Sequence, residues 1–269
     1  MTLTMDLSGR RVLVVGASSG IGRAIAARLW HLGASVAAAA RREDLLHSLV
    51  DDLAAAIGGD EDRSQRAVAV PVDVTDPVSV EHALATTENV FGGLDAMVYA
   101  SGVTPLVGIG DATAEDWQHA LGTNLIGAGL VTRATLSRLS ELGICLYLSS
   151  DVTSLPRDGM STYAASKGGL DAAIATWRQE HPLVRFTRVI VGPTWGTEAG
   201  SDMPEDLAAE MFPRWVARGG LPQTPMAVTD LGPMLADHLA VQLAYPGISV
   251  WDLRAEPPGP IADNAGNVY

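Results

Sequence analysis

Short apolar runs alternate along this chain with longer stretches of helical period. Seven of the short runs read as strands: Arg11–Val15, Ser35–Ala40, 67–72, 94–100, 144–149, 184–191 and 248–253. They carry apolar residues at odd and even positions alike, as a sheet covered on both faces requires. Between the second and third runs, Leu45, Leu46, Leu49, Val50 and Leu53 recur at helical spacing with Asp51 and Asp52 opposite, so 43–57 reads as a covering helix. The polar segment 58–66 reads as a solvated loop without function. Strand and helix in alternation imply right-handed βαβ units. The expected fold is a single doubly wound α/β domain over residues 1–254, with a mostly parallel seven-stranded sheet and a Pro-, Gly- and Asn-rich tail at 255–269.

Composition narrows the class. The 269 residues are 47% hydrophobic and 18% charged, enough apolar material for a core on each side of a sheet. A net charge of −13 argues against nucleic acid as a partner, since duplex binding draws on Lys and Arg. Cys145 is the only cysteine and sits in an apolar run, which excludes an intrachain disulfide and fits a reducing, cytoplasmic setting. No signal peptide is visible at the N-terminus. The longest apolar region, 12–40, is interrupted by Arg23, Arg28 and His31, so no membrane span is expected. No metal-ligand cluster stands out.

The first strand runs into Gly16-Ala17-Ser18-Ser19-Gly20-Ile21-Gly22, and a helix follows. In such a strand–glycine–helix unit Gly16 permits the tight turn, Gly20 lets backbone approach a pyrophosphate, and Gly22 lets helix pack on strand. The free amides of the helix start face the anion. A plain strand-to-helix turn would also carry glycines, so the end of the second strand is a useful second test. An NAD-preferring site places an acid there; this chain has Ala40-Arg41-Arg42, two guanidiniums able to pair with a 2′-phosphate. NADP is the expected cofactor, with NAD as the lesser option.

Tyr163 and Lys167 are spaced i and i+4, on one face of a helix. A nearby ammonium stabilises a phenolate, which predicts a lowered pKa and a usable general acid at Tyr163. Ser150, at a strand end, is placed to hydrogen-bond a substrate oxygen.

Taken together these residues resemble the short-chain dehydrogenase/reductase family, a Rossmann-fold group, from about Leu7 to Leu253. The resemblance rests on the Gly16, Gly20 and Gly22 turn, Asp73-Val74, Asn124, Ser150 thirteen residues before Tyr163, and Lys167. It implies that Tyr163 is the general acid and base, Lys167 its activator and ribose ligand, Ser150 the substrate orienter, and Asn124 the holder of a relay water. Asp73 would bond the adenine amino group, with Val74 beside it. Thr197 would hold the nicotinamide carboxamide, and Ser18, Ser19, Ile21, Ala100, Gly102, Pro193 and Trp195 complete the implied cofactor set. The implied activity is hydride transfer between the nicotinamide and a small carbonyl or alcohol, in a homodimer or homotetramer. The alternative is a dinucleotide-binding sensor or scaffold without turnover.

Four departures from the family pattern bear on these expectations. Tyr99-Ala100-Ser101-Gly102 replaces the usual Asn-Asn-Ala-Gly, which removes a strand-bracing asparagine; Pro-Gly is inverted to Gly192-Pro193; Trp195 stands where a smaller apolar residue is common, which would reshape the nicotinamide pocket; and Asp-Gly-Gly is missing after the last strand. A substrate lid is expected at 197–226, where Met203, Leu207, Met211, Phe212, Trp215 and Leu221 either line a pocket or form the buried stripe of a short helix.

Overall fold

The computed structural model describes residues 5–56, 66–198, 203–222 and 224–257. Six strands, β1 (Arg11–Val15), β2 (Ser35–Ala40), β3 (Ala67–Pro71), β4 (Leu94–Tyr99), β5 (Leu139–Ser150) and β6 (Arg185–Val191), join β9 (Asp252–Ala255) in one sheet. Every pairing in it is parallel, in the order β3-β2-β1-β4-β5-β6-β9. The order reverses between β1 and β4. Crevices in such sheets open at the carboxyl ends of the strands at that reversal, which places a ligand site between Val15 and Tyr99. Two short strands, β7 (Thr194–Trp195) and β8 (Met226–Ala227), pair outside the main sheet and bracket the segment expected to be a lid.

Helices cover both faces. On one side α1 (Gly20–His31) lies against α8 (Val228–Ala244), with Val12, Val14, Ile25, Leu29, Leu235 and Leu239 buried between them and the sheet. These helices approach so closely that a Cβ on Gly232 would lie 2.3 Å from that of Ala24. On the other side are α3 (Pro77–Phe91), α5 (Gly127–Leu136) and α6 (Ser161–Glu180), over Leu13, Val15, Met97, Tyr147 and Phe186. Local signals set their limits. Asp76 accepts the Val78 amide at 2.9 Å at the start of α3, where Pro77 occupies the first turn, and Gly92 ends it at φ 75°. Thr113 and Asp116 form a capping box at the head of α4 (Ala114–Leu121). The helix expected at 43–57 is α2 (Glu43–Ala55); Ile57, segment 58–65 and the tail from 258 lie outside the described residues.

The last strand lies further along than its apolar run suggests. Ile248 and Trp251 are 60% and 58% exposed, and pairing begins at Asp252. Asp252 sits opposite Arg188 in the ladder and its carboxylate bonds that guanidinium twice at 3.0 Å. Those charges, with the Pro246-Gly247 turn before them, fix a register that apolar patterning misplaces.

The missing asparagine of the family pattern is offset by a different brace. Tyr99 is fully buried at the end of β4, and its hydroxyl donates to the carbonyl of Thr123 at 2.6 Å. Thr123 belongs to a single π-helical turn, Gly122–Ile126, between α4 and α5. Tyr99 thus ties the central strand to the turn that carries Asn124. Cys145 is buried in β5, and burial pushes its thiol up to about 12, which leaves it inert.

Candidate active site

The cleft at the reversal has a volume of about 460 Å³ and runs from the glycine turn to Tyr163. At one end Gly16 takes φ 93° and Gly20 φ 55°, conformations that side chains rarely adopt. Gly16 accepts no Cβ either, since one would lie 2.5 Å from the Ser101 amide nitrogen. Gly22 is tighter still, a Cβ there falling 2.2 Å from the Gly16 carbonyl oxygen. Ser19 stands at the head of α1 without capping it, so the first amides of the helix are left facing the cleft. Gly22→Ala is expected to destabilise the fold by about 2 kcal/mol through overpacking and to weaken dinucleotide binding at least about tenfold, read by urea unfolding and fluorescence titration. A variant with both properties intact would show that the turn has slack.

Arg41, Arg42, Asp73, Val74, Ala100, Gly102, Pro193 and Thr197 also line this cleft, together with Ser18 and Ile21. Asp73 uses Oδ1 to accept the Thr75 amide at 2.9 Å and hydroxyl at 2.7 Å, which holds its carboxyl below the usual range. Trp195 does not line the cleft. It lies on β7 with 67% of its surface exposed, so the expectation that it shapes the nicotinamide pocket is corrected. The inverted Gly192-Pro193 pair is anchored from both sides: the Gly192 amide donates to Ala255 at 2.9 Å and the Pro193 carbonyl accepts from Met226 at 3.0 Å.

At the other end β5 delivers Ser150, and α6 delivers Tyr163 and Lys167 one turn apart. Lys167 is 4% exposed, and its ammonium donates to the Leu148 carbonyl at 2.8 Å. Burial lowers its pKa to about 8, although Asp171 one turn on opposes the shift. Its nitrogen lies over the Tyr163 ring, 5.9 Å from the ring centre. The expectation that this amine lowers the phenol pKa is corrected. Burial pushes Tyr163 above its ordinary value, Asp151 adds to the rise, and the hydroxyls of Ser150 and Thr104 and the Arg157 charge restrain it.

Asn124 is fully buried behind the cleft. Its amide donates to the Val103 carbonyl and to Ser166 Oγ, each at 2.9 Å, and its Oδ1 accepts the Val103 amide at 2.9 Å. Both amide hydrogens are committed to protein atoms, so this side chain braces the loop after β4 and has no hydrogen left for a water.

Several residues of the site carry no sequence signal. Asp151, next to Ser150, accepts that hydroxyl at 3.3 Å and pairs with Arg157 at 3.0 and 2.5 Å in a buried bidentate contact. Arg157 also donates to the Gly220 carbonyl at 2.8 Å, which ties the Ser150 end of the cleft to the chain ahead of β8. Thr104 and Glu198 join the lining as well. Nothing in their spacing marks them; only adjacency to Ser150 and Thr197 could have drawn attention. Between β7 and β8, α7 (Glu205–Ala217) buries Met211 and Trp215, as a helix stripe would, while Met203, Trp215 and Leu221 face the cleft. Trp215 belongs to both groups. Among the described residues no cluster could hold a metal ion, and no helix is long and apolar enough to cross a membrane.

A parallel sheet with its crevice at the reversal, a glycine turn, and Ser150 at a strand end facing Tyr163 and Lys167 on α6 define the Rossmann-type class with a dinucleotide site. Residues 10–207 match the short chain dehydrogenase family model, and the chain belongs to that family of dehydrogenases and reductases. It is 37% identical over 171 residues to the short chain dehydrogenase pigC of Monascus ruber, spanning 62% of this chain and 56% of that one. It is 31% identical to an uncharacterized oxidoreductase of Methylorubrum extorquens over 76% of this chain and 83% of the other. A short chain dehydrogenase from Burkholderia cenocepacia, solved in complex with NADP, superposes with a TM-score of 0.76 at 28% identity, over 92% of this chain and 96% of that one.

Proposed function

We propose that this chain is an NADP-dependent oxidoreductase that moves a hydride between the nicotinamide and a carbonyl or alcohol, with Tyr163 as general acid and base. One observation supports the reading most: Tyr163, Ser150 and Lys167 line the same cleft as the glycine turn, at its opposite end. The residues fit a dinucleotide. The uncapped amides of α1 and the space left by Gly16, Gly20 and Gly22 suit a pyrophosphate, Asp73 and Val74 lie where the adenine would rest, and Thr197 lies along the path to Tyr163. Bound there, the cofactor gives or takes the hydride.

The protein's own residues do the rest. A carbonyl oxygen between the hydroxyls of Ser150 and Tyr163 would accept from both, which orients it and steadies the charge that develops on oxygen. Tyr163 gives its proton to that oxygen in reduction and takes one in oxidation. Lys167 keeps a positive charge over the ring, and Asn124 is a positioning residue that holds the loop of Val103 in place. Met160, Met203, Trp215 and Leu221 give the substrate end an apolar wall, and the Asp151–Arg157 pair there is self-neutralised, which favours uncharged carbonyls with an apolar part. A non-catalytic sensor would have no use for a serine, tyrosine and lysine gathered in this way.

The NADP preference is supported by Arg41 and Arg42 after β2, with Ala40 where an acid would repel a 2′-phosphate. Titration of the purified chain, followed by reduced-nicotinamide fluorescence, is expected to show NADPH bound about tenfold more tightly than NADH. Tighter NADH would overturn the preference. A screen of ketones, aldehydes and alcohols against both cofactors identifies the substrate and tests the activity itself.

A further inference from the structure

The part of the cleft that would receive the cofactor's phosphates already holds an anion supplied by the chain. Glu198 follows Thr197 at the start of the lid segment, and this stretch rests on the glycine turn: a Cβ on Gly20 would lie 3.6 Å from Thr197 Cα. One oxygen of its carboxylate accepts from Ser19 Oγ at 2.7 Å and from Arg42 Nη2 at 2.5 Å, and the other accepts from Arg42 Nη1 at 2.9 Å. The same Nη2 reaches Ser18 Oγ at 3.1 Å and Ser19 Oγ at 2.9 Å. An oxyanion gripped through two guanidinium nitrogens and one hydroxyl, at the head of an uncapped helix, has the environment a phosphate would take. The hydrogen bonds from Arg42 and Ser19 hold the Glu198 carboxyl below its usual range, so it is charged at neutral pH.

We propose that Glu198 is a specificity-determining residue for the 2′ position of the cofactor's ribose, because its carboxylate competes with a 2′-phosphate for Arg42. The inference rests on the NADP reading above and sharpens it. Arg42 presents its paired nitrogens to one oxyanion at a time. A 2′-phosphate must either displace Glu198 from them or bind beside a like charge, whereas a 2′-hydroxyl meets neither conflict. Two arginines after β2 therefore overstate the preference for NADP, and the lid residue narrows it. Glu198 and Arg42 are both about half exposed, so the competition is screened and its effect is modest.

The test is a titration of wild type and Glu198→Gln with NADPH and with NADH, read by cofactor fluorescence without turnover. Glutamine keeps the length and the hydrogen-bonding oxygen and removes the charge. The variant is expected to bind NADPH about fivefold more tightly than wild type, with NADH changed by less than about twofold. The same substitution placed on Arg42→Gln should lose its effect on NADPH, which assigns the gain to that pair. Equal weakening of both cofactors would overturn the proposal in favour of a clasp over the bound dinucleotide, and no change in either would overturn it outright. Wild type that binds NADH more tightly would instead sink the NADP preference, while the effect of Glu198→Gln on NADPH is read from the ratio of the two proteins and stands apart.

Discussion

Tyr163→Phe is expected to lower turnover about a thousandfold while leaving the dinucleotide dissociation constant within about twofold, as removal of a general acid from an otherwise intact site does. Among the described residues no other group at the cleft is placed to replace the phenol. The Ser150 hydroxyl is within reach of Asp151, the Lys167 ammonium is directed at the Leu148 carbonyl, and Asn124 spends its amide on Val103 and Ser166. Burial holds the phenol above its ordinary pKa, so at neutral pH it is protonated and ready to donate. Reduction of a carbonyl is thus expected to proceed at neutral pH without a preceding ionisation of Tyr163, and oxidation of an alcohol to quicken as pH rises towards the phenol's pKa. Initial rates in both directions across pH, with binding measured in parallel, check the assignment. Retained turnover in the variant, or a loss matched by lost cofactor binding, would remove Tyr163 from its role.

The distribution of legible and hidden features follows from physics. Strands covered on both faces announce themselves as short apolar runs, and β1 and β2 fall at their expected limits. The last strand does not, because Arg188 and Asp252 set its register through a charge pair, and exposed Ile248 and Trp251 imitate a strand just before it. The glycine turn is legible because each glycine answers a local steric demand, down to the 2.2 Å approach at Gly22. Tyr163 and Lys167 are legible because one helix carries both at a fixed spacing.

Partners that meet only after folding leave no such trace. Arg157, the partner of Asp151, reaches Gly220 across 63 residues of chain, and Glu198 reaches Arg42 across 156. These contacts link the chain between β7 and β8 to both ends of the cleft, one at the glycine turn and one beside Ser150. Sequence spacing also misjudged what lysine does to tyrosine. An i, i+4 pair shares a face, but whether the ammonium meets the hydroxyl depends on competing acceptors, and here the Leu148 carbonyl wins.

Lys167→Met is expected to abolish turnover yet make the ligand-free protein more stable. Burial pulls the ammonium from its ordinary value of 10.5 to about 8, so at neutral pH the folded chain holds a charge that its surroundings disfavour. At about 1.4 kcal/mol per unit this amounts to about 3 kcal/mol, against which the lost hydrogen bond to Leu148 counts about 1 kcal/mol. A net gain of about 2 kcal/mol corresponds to a rise in Tm of about 4 °C for a chain of this size. The pH dependence carries the sign. Between the folded value of about 8 and the unfolded 10.5 the unfolded chain binds more protons, so this residue lets wild-type stability rise with pH across that window. Below pH 8 the penalty is present in full, and the variant should exceed wild type most there, with the gap closing towards pH 10. Calorimetry of both proteins from neutral to alkaline pH measures it. A variant less stable than wild type at neutral pH would show that Leu148 and Asp171 compensate the buried charge, and that the lysine is held for the fold as well as for the chemistry.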